Sequence, residues 1–546
     1  MKVKFPNIPT PKETDKETVG KVVLKKNLLW KRQKKYRILW VDDEMEHLKS
    51  HLIFLQEKGF IVESATNGND AIDILEEHNF DLVFLDENMP GMSGLETLSQ
   101  MKEIRPSLPV IMITKSEEED IMDQAIGSKI ADYLIKPVKP NQILSSIKRH
   151  VDRDRLVSQK ATSDYQAEFS NIGFRLSDRL SINEWSEVYK KLVYWELELQ
   201  STNSPMDEVL KMQKSEANQL FARTVKDNYE NWLTDNSGPL MSHRVFKNYV
   251  LPCLDKGERV VLVVIDNFRL DQWETIRYDI RPYFDVKADN LYCSILPTAT
   301  QYARNALFSG LLPTQIEEIY PDLWVDEDDE GGRNQYEDEL IGTFLKRMRR
   351  SFTYSYHKIS DTEAGRRLAD NPGQLKMYDL NVLVFNFIDM LSHARTEMKM
   401  IRELASDESA YRSLTRSWFL HSPLFELLKK LSGERVRVIL TSDHGSIRVQ
   451  HPLKVVGDRN TNTNLRFKQG KNLAYKAKDV YEVKRPENAF LPRVNVSTSY
   501  IFARGDDFFA YPNNYNYYVN YYKDTFQHGG ISLEEMLVPL VQLVPL

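Results

Sequence analysis

Cysteine is nearly missing from this chain: 546 residues carry two, Cys253 and Cys293. Two thiols cannot build the multi-bridge framework that staples small secreted domains. The count therefore points to a reducing compartment, and both residues read as buried fillers. Long apolar runs are missing as well. No stretch approaches the roughly 20 residues that cross a bilayer, and the opening Met-Lys-Val-Lys-Phe-Pro lacks the apolar core of a secretory leader. By elimination the expected protein is cytoplasmic and not integral to a membrane. Nor is there a surplus of positive charge: the net charge of −6 argues against general affinity for nucleic acid. A hydrophobic fraction of 41% with 28% charged residues is ordinary for a globular protein. The length exceeds one ordinary core, so several units are expected.

What is present changes character along the chain. Residues 1–36 hold eleven Lys/Arg against three acidic residues with no apolar period; they read as a disordered basic extension or a partner-binding arm. Over 37–155 short apolar runs (Arg37–Val41, Ile61–Ser64, Leu82–Leu85, Val110–Thr114, Tyr133–Ile135) alternate with polar segments of helical period. Five strands with alternating helices predict a doubly wound parallel sheet. Over 156–238 charged residues alternate with Leu, Trp, Tyr and Phe at helical spacing. Trp185, Tyr189, Leu192 and Trp195 fall near one face, the pattern of a helical-bundle core. Asn203-Ser-Pro205 breaks one helix and Asn236-Ser-Gly-Pro239 ends the region. From 239 to 546 βα alternation resumes, with strands expected at Val260–Ile265, Val286–Tyr292, Leu380–Ile388, Val436–Thr441 and Tyr500–Ala503. Residues 447–499 read as an insertion, and the acidic Asp326–Glu330 as a solvated loop. The expected class is α/β multidomain.

Two sets of residues carry chemistry. In the first domain Asp42 and Asp43 follow the first strand, Asp86 ends the third, Thr114 ends the fourth and Lys136 follows the fifth. A doubly wound sheet gathers these positions at one edge. Clustered carboxylates suit a hard cation such as Mg²⁺, and the central one can attack a phosphoryl group. Lys136 would neutralise the new charge, and the Thr114 hydroxyl can hydrogen-bond the bound phosphoryl. In the last domain Asp266 ends a Val/Ile strand, where a carboxylate is costly unless paired or metal-bound. Asp389 and His393 lie four apart, Asp443-His444 ends another apolar run, and His528 precedes Gly-Gly. Such ligands without cysteine fit Zn²⁺ or Mn²⁺ in an open catalytic site. A pair of metals about 4 Å apart serves in-line displacement at phosphorus. Thr300, before an expected helix, is the candidate nucleophile. Each residue alone is ordinary; the ordered set is what is specific.

The first pattern resembles the receiver domain of response regulators. The resemblance implies Asp86 as phosphoacceptor, Mg²⁺ held by Asp43, Asp86 and the Asn88 carbonyl with Asp42 assisting, and Thr114 with Tyr133 as a switch pair. For Tyr133, core packing is an equal reading. The second pattern, closed by Gln527-His-Gly-Gly-Ile-Ser-Leu-Glu-Glu-Met-Leu-Val-Pro539, resembles the PglZ branch of the alkaline phosphatase superfamily. It implies one zinc on Asp389, His393 and His528, a second on Asp266, Asp443 and His444, and Thr300 bridging them. The chain departs from the diesterase pattern by lacking an Asn about twenty residues after Thr300; Arg304 or Asn305 is the candidate substitute clamp.

The domain order is similar to that of PorX-type response regulators. That resemblance implies a zinc phosphodiesterase acting on cyclic or linear oligonucleotides, with a sensor histidine kinase as phosphodonor and a homodimer on phosphorylation. It also implies control of type IX secretion through a sigma factor and the secretion motor. Arg448, Arg459, Arg466, Lys468, Lys471, Lys476 and Lys478, followed by Phe508, Phe509, Tyr511, Tyr515, Tyr517, Tyr518, Tyr521 and Tyr522, read either as an oligonucleotide track or as a solvated insertion with a tyrosine-rich wall. Two other functions stay open: a regulator acting through protein partners with the metal domain as scaffold, and a phosphomonoesterase. No helix-turn-helix stands out in 151–235, so direct specific DNA binding is not expected.

Overall fold

The computed structural model describes residues 36–115, 130–151, 153–201, 204, 206–235, 238–325, 334–457, 461–493 and 495–546. The basic stretch 1–35, the acidic Asp326–Glu330, and residues Asn203, Pro205, Asn236, Ser237 and Arg459 lie outside them. The chain forms two compact units, one of residues 1–167 with 198–207, the other of 168–197 with 208–546.

The first unit is built on β1 (Arg37–Val41), α1 (Met45–Glu57), β2 (Ile61–Ala65), α2 (Gly68–Glu77), β3 (Leu82–Asp86), α3 (Gly94–Ile104), β4 (Val110–Thr114), β5 (Asp132–Ile135) and α4 (Pro140–His150). The strands are all parallel in the order β2-β1-β3-β4-β5. β3 and β4 are buried throughout, as expected of inner strands covered on both faces. Alternate residues separate the two cores. Leu39, Val41, Val83 and Leu85 pack with Ala71, Leu75, Leu98 and Met101 of α2 and α3. Ile38, Trp40, Leu82 and Phe84 pack with Leu55 of α1 and Ile143 and Ile147 of α4. Asn67 caps α2, and a Ser93/Glu96 capping box opens α3.

Three long helices follow, α5 (Arg153–Leu176), α6 (Ile182–Ser201) and α7 (Asp207–Thr234). The expected stripe on α6 holds for Trp185, Tyr189 and Leu192, which are buried. It fails at Trp195, which is half-exposed, while its neighbour Glu196 is buried. The cause is charge: Glu196 accepts from Lys214 of α7 at 2.5 Å and from Arg412 at 2.9 Å.

The second unit is organised by a six-stranded sheet of β6 (Val260–Ile265), β7 (Phe284–Cys293), β8 (Tyr354–Ile359), β9 (Leu380–Phe385), β10 (Arg437–Thr441) and β18 (Leu537–Pro545), in the order β7-β18-β10-β6-β9-β8. β10, β6, β9 and β8 are parallel, whereas β18 runs antiparallel to both β10 and β7. The helices that matter for the site are α8 (Leu270–Ile280), α9 (Thr300–Ser309), α10 (Phe387–Glu397), α11 (Glu408–His421) and α12 (Tyr515–Tyr522). The segment 447–527 adds β11 (Ile447–Arg448), β12 (His451–Lys454), β13 (Phe467–Gly470), β14 (Tyr481–Val483), β15 (Ser499–Phe502), β16 (Asp507–Ala510) and β17 (Phe526–Gln527).

Two readings of this unit are corrected. The strand expected at Leu380–Ile388 stops at Phe385, and a helix starts at Phe387. The Tyr500–Ala503 strand lies in a separate antiparallel sheet, ordered β13-β15-β14. The large sheet instead includes β18, which runs through Pro539. The Pro539 carbonyl accepts from Thr441 Oγ1 at 2.7 Å. No helix among the described residues is long and apolar enough to cross a membrane.

Candidate active site

In the first unit the carboxyl ends of the strands bring Asp42, Asp43, Asp86, Thr114 and Lys136 to one edge. One oxygen from each of Asp42, Asp43 and Asp86 lies within 4.8 Å of the others. Lys136 Nζ donates to Asp42 Oδ2 at 2.8 Å and to Asp86 Oδ2 at 2.9 Å. Burial raises the Asp86 carboxyl above its ordinary range, opposed by the Lys136 hydrogen bond. Burial alone would weaken the Lys136 ammonium, but its two carboxylate partners hold it above the usual value. Asp86 Oδ1 is buried without a hydrogen-bond partner. An unsatisfied buried carboxylate oxygen beside two further carboxylates fits a hard divalent cation. Asn88 is exposed just beyond β3, and Thr114 is buried at the end of β4. Tyr133 packs half-buried against the α2/α3 core.

In the second unit two trios form at the carboxyl ends of β6, β9 and β10. Ligand atoms of Asp389, His393 and His528 lie within 4.8 Å of one another, as do those of Asp266, Asp443 and His444. The trios adjoin: the His444 and His528 rings stack with centroids 4.3 Å apart. Asp389 and His393 meet because α10 starts at Phe387, which sets i and i+4 on one face, with Asp389 Oδ2 at 3.4 Å from His393 Nε2. Gly445 lets the His444 loop pass against the Glu534 carbonyl, where a Cβ would collide with backbone. Gly529, at φ +119°, turns the chain sharply after His528.

The imidazoles are set to act as ligands. His528 Nδ1 lies 3.1 Å from the Thr298 carbonyl, and His444 Nδ1 lies 3.2 Å from the Gly445 carbonyl. A carbonyl only accepts, so each Nδ1 carries the proton and each Nε2 turns a lone pair to the site. Burial pushes His528 down to about 4, helped by the neighbouring His444, and burial also lowers His444. Both rings are therefore neutral at pH 7. Burial pushes Asp266 up to about 7, with Asp443 and Asp389 adding to it against the pull of Arg304. Burial works the same way on Asp389, but the His393 hydrogen bond and nearby imidazoles hold it well below the usual carboxylate range. Crowded carboxylates with neutral imidazoles are a donor set that a pair of divalent ions fits.

Thr300 opens α9 beside the Asp266, Asp443 and His444 trio. Its Oγ1 is 3.1 Å from His444 Nε2 and donates to Asp266 Oδ1 at 3.4 Å. Thr300, His393 and His528 line one end of a cleft of about 760 Å³. The other walls are the Thr461–Asn464 loop and Tyr521 and Tyr522 of α12, and among the described lining residues there is no Lys or Arg.

Over residues 245–543, more than half of the chain, the sequence matches the family of BREX system PglZ alkaline phosphatase-like domains. The chain belongs to this PglZ family. Residues 38–148 match the response regulator receiver domain and 155–233 the PorX response regulator linker domain, and the three together make the PorX-type architecture. The protein thus has the domain architecture of a two-component response regulator with a PglZ phosphatase-like domain. The transcriptional regulatory protein ZraR of Klebsiella oxytoca is 33% identical over 146 residues, 27% of this chain and 33% of that protein. ResD of Bacillus subtilis is 34% identical over 112 residues, 20% of this chain and 46% of that protein. The chain thus spans less than half the length of these curated relatives. A CheY-like receiver domain from Methanospirillum hungatei is 30% identical and covers 22% of this chain and 96% of its own, with a TM-score of 0.22.

Within the PglZ domain two expectations are corrected. Arg304 and Asn305 do not enter the cleft. Arg304 is fully buried and pairs with Asp266, with Asp443 at 3.0 Å and with Glu337 at 3.2 Å. A guanidinium enclosed by three carboxylates is a counter-charge for the ligands and has no face for a substrate phosphate. Asn305 is buried beside it. The cations of the insertion do not form one exposed track either. Arg466 is buried on Glu535 at 2.6 Å, and Lys468 is buried with Nζ on the Asn462 carbonyl at 2.8 Å. Both pin the cleft loop from behind. Phe508 and Phe509 are core residues.

Sequence reasoning missed Asn267. Its Nδ2 donates to Asp389 Oδ1 at 3.2 Å and to Ser392 at 3.3 Å, and its backbone N–H reaches Asp443 Oδ1 at 3.4 Å. It ties the trios together from a left-handed conformation, φ +63°. The signal available was an Asn after a strand-end Asp, since Asn tolerates that conformation.

Proposed function

We propose that the output of this response regulator is a two-metal phosphodiesterase with Thr300 as nucleophile. The supporting observation is Thr300 Oγ1, 3.1 Å from His444 Nε2 and lining the same cleft as His393 and His528, with no Lys or Arg among the described lining residues. A dianionic monoester calls for a positive clamp, whereas a monoanionic diester is served by neutral amide and hydroxyl donors such as those of the Thr461–Asn464 loop. We assign one Zn²⁺ to Asp389, His393 and His528, and one to Asp266, Asp443 and His444. When bound, the ions supply Lewis-acid stabilisation of the attacking and leaving oxygens. Thr300 Oγ1 gives up its proton to solvent and attacks phosphorus, and the bond to the leaving alkoxide breaks as that oxygen takes a proton from water. Water then displaces the threonine and restores it. Asn267 and Arg304 hold the carboxylates in place.

In the receiver we assign Mg²⁺ to Asp43, Asp86 and the Asn88 carbonyl with Asp42 assisting, phosphoryl transfer to Asp86, and switching to Thr114 and Tyr133. Phosphorylation then drives homodimerisation. By the PorX-type architecture we extend the reading to domains at 37–155, 156–238 and 239–546, oligonucleotide substrates, a cytoplasmic location, and type IX secretion through a sigma factor and the secretion motor. The test is zinc-supplemented hydrolysis of bis-p-nitrophenyl phosphate against p-nitrophenyl phosphate. A kcat/KM at least about 10-fold higher for the diester, roughly 1.4 kcal/mol of transition-state preference, is expected; the reverse ratio makes the enzyme a monoesterase.

A further inference from the structure

The phenyl ring of Phe526, two residues before His528, is buried where all the ligand-bearing segments converge. Two guanidiniums lie against it, Arg269 at 5.1 Å and Arg395 at 4.9 Å from the ring centroid. The Tyr411 ring stacks on it at 4.1 Å. Each cation belongs to a different ligand segment. Arg269 follows Asp266 by three residues and donates to the carbonyl of Ser446, just past His444, at 3.3 Å. Arg395 sits on α10 with Asp389 and His393. Phe526 itself pairs with Arg448 in the short β11/β17 ladder, which joins the His444 and His528 segments.

The two cations are compensated differently. Arg269 has Asp271 at 2.6 Å and Glu408 at 2.5 Å. Arg395 is almost as buried, yet its hydrogen bonds go only to the carbonyls of Ala405, Ser406 and Asp524. Among the described residues no carboxylate lies within ion-pairing distance of it. Glu408 and Asp524 attract it only from beyond ion-pairing distance, whereas the Phe526 ring lies directly against it, and such a contact strengthens when water is excluded.

We infer that Phe526 is a positioning residue for the metal centre: its ring, shared by Arg269 and Arg395, sets the spacing between the two ligand trios. This rests on the two-metal reading. It touches neither ligand atoms nor substrate, so it acts through the placement of His528, α10 and the Asp266 loop.

The test is zinc binding by the full chain in competition with a chromophoric chelator, with kcat and KM for a diester measured in parallel. Wild type binding fewer than two zinc ions defeats the two-metal reading itself. If wild type binds two, Phe526→Leu, which keeps apolar bulk and removes the ring, should weaken zinc binding about 10-fold, the scale of a desolvated cation–π contact, and lower kcat with KM little changed. Phe526→Tyr should restore both to within about 3-fold because the quadrupole returns. Unchanged zinc affinity in a folded Phe526→Leu, or failure of Phe526→Tyr to restore it, overturns the inference. Should Phe526→Leu not fold, Arg395→Met carries the same readout: weakened zinc binding supports the inference and wild-type affinity overturns it.

Discussion

At the scale of single residues, charge decides most of what is unusual here. Arg304 holds three buried carboxylates in register. Arg304→Met should destabilise the metal-free protein by about 3–5 kcal/mol, the cost of stranding one side of a buried ion pair. Saturating zinc should recover part of that, since ions bound to the same carboxylates replace the lost charge. Denaturant unfolding with and without zinc checks both; equal losses in the two conditions would place Arg304 outside the ligand network. Asp266 and Asp443-His444 were readable because they follow apolar strands, where an Asp or His has no packing reason to be; Asp389 with His393 was readable from a spacing of four, and His528 from the Gly-Gly after it. Asn267 and the counter-charge role of Arg304 were not readable. The partners of Asn267 lie over a hundred residues away in sequence, those of Arg304 sit on three separate segments, and nothing in the local pattern of α9 marks a buried cation.

At the scale of elements, buried polar contacts fix how α6 and α7 seat on the large sheet. Glu196 of α6 pairs with Lys214 of α7 and with Arg412 of α11, and Arg412 reaches Asp271 of α8 at 3.0 Å. The end of α7 is closed by Arg244, which donates to the carbonyls of Asp235 at 2.8 Å and Leu233 at 3.2 Å. Arg244 Nε also lies 3.1 Å from His243 Nε2, so this imidazole must stay neutral to accept. Burial, with Arg244 beside it, pushes His243 down to about 3 from an unfolded value of 6.5. The unfolded chain therefore binds the extra proton first, and this contribution to stability is present above pH 6.5 and lost as pH falls toward 3. Between pH 6.5 and 4.5 His243 should account for about 2–3 kcal/mol of lost stability. His243→Gln should flatten that limb of the stability profile; an unaltered slope would show that the imidazole is accessible. Strands were readable from apolar runs wherever they lie inside parallel arrays. β18 was not, because Pro539 argues against a strand paired on both sides, yet this strand lies between β7 and β10.

At the scale of the whole molecule, a receiver edge with three clustered carboxylates and a two-trio site occupy one chain, in the PorX-type order. The receiver edge holds Asp86 against Lys136, and a phosphoryl group there gives Lys136 and Thr114 a new partner. Beryllofluoride with Mg²⁺ should convert the protein to a dimer in sedimentation velocity, and Asp86→Ala should stay monomeric under the same conditions. Dimerisation of both would separate assembly from the phosphorylation site. The domain order could be read from the sequence because the first and last domains each end strands with their own set of chemical residues, while a helix-period segment without strands separates them. The lining of the cleft could not, since the Thr461–Asn464 loop and α12 meet only in the fold.

Thr300, as the proposed nucleophile of a two-metal diesterase, is the residue on which the proposed chemistry turns. The most direct measurement is turnover of bis-p-nitrophenyl phosphate by Thr300→Ala, with zinc content determined on the same sample. The account predicts two zinc ions per chain and kcat reduced by at least about 10³-fold, the usual consequence of removing a catalytic nucleophile. Turnover within about 10-fold of wild type, roughly 1.4 kcal/mol in barrier, with both ions bound, would contradict it.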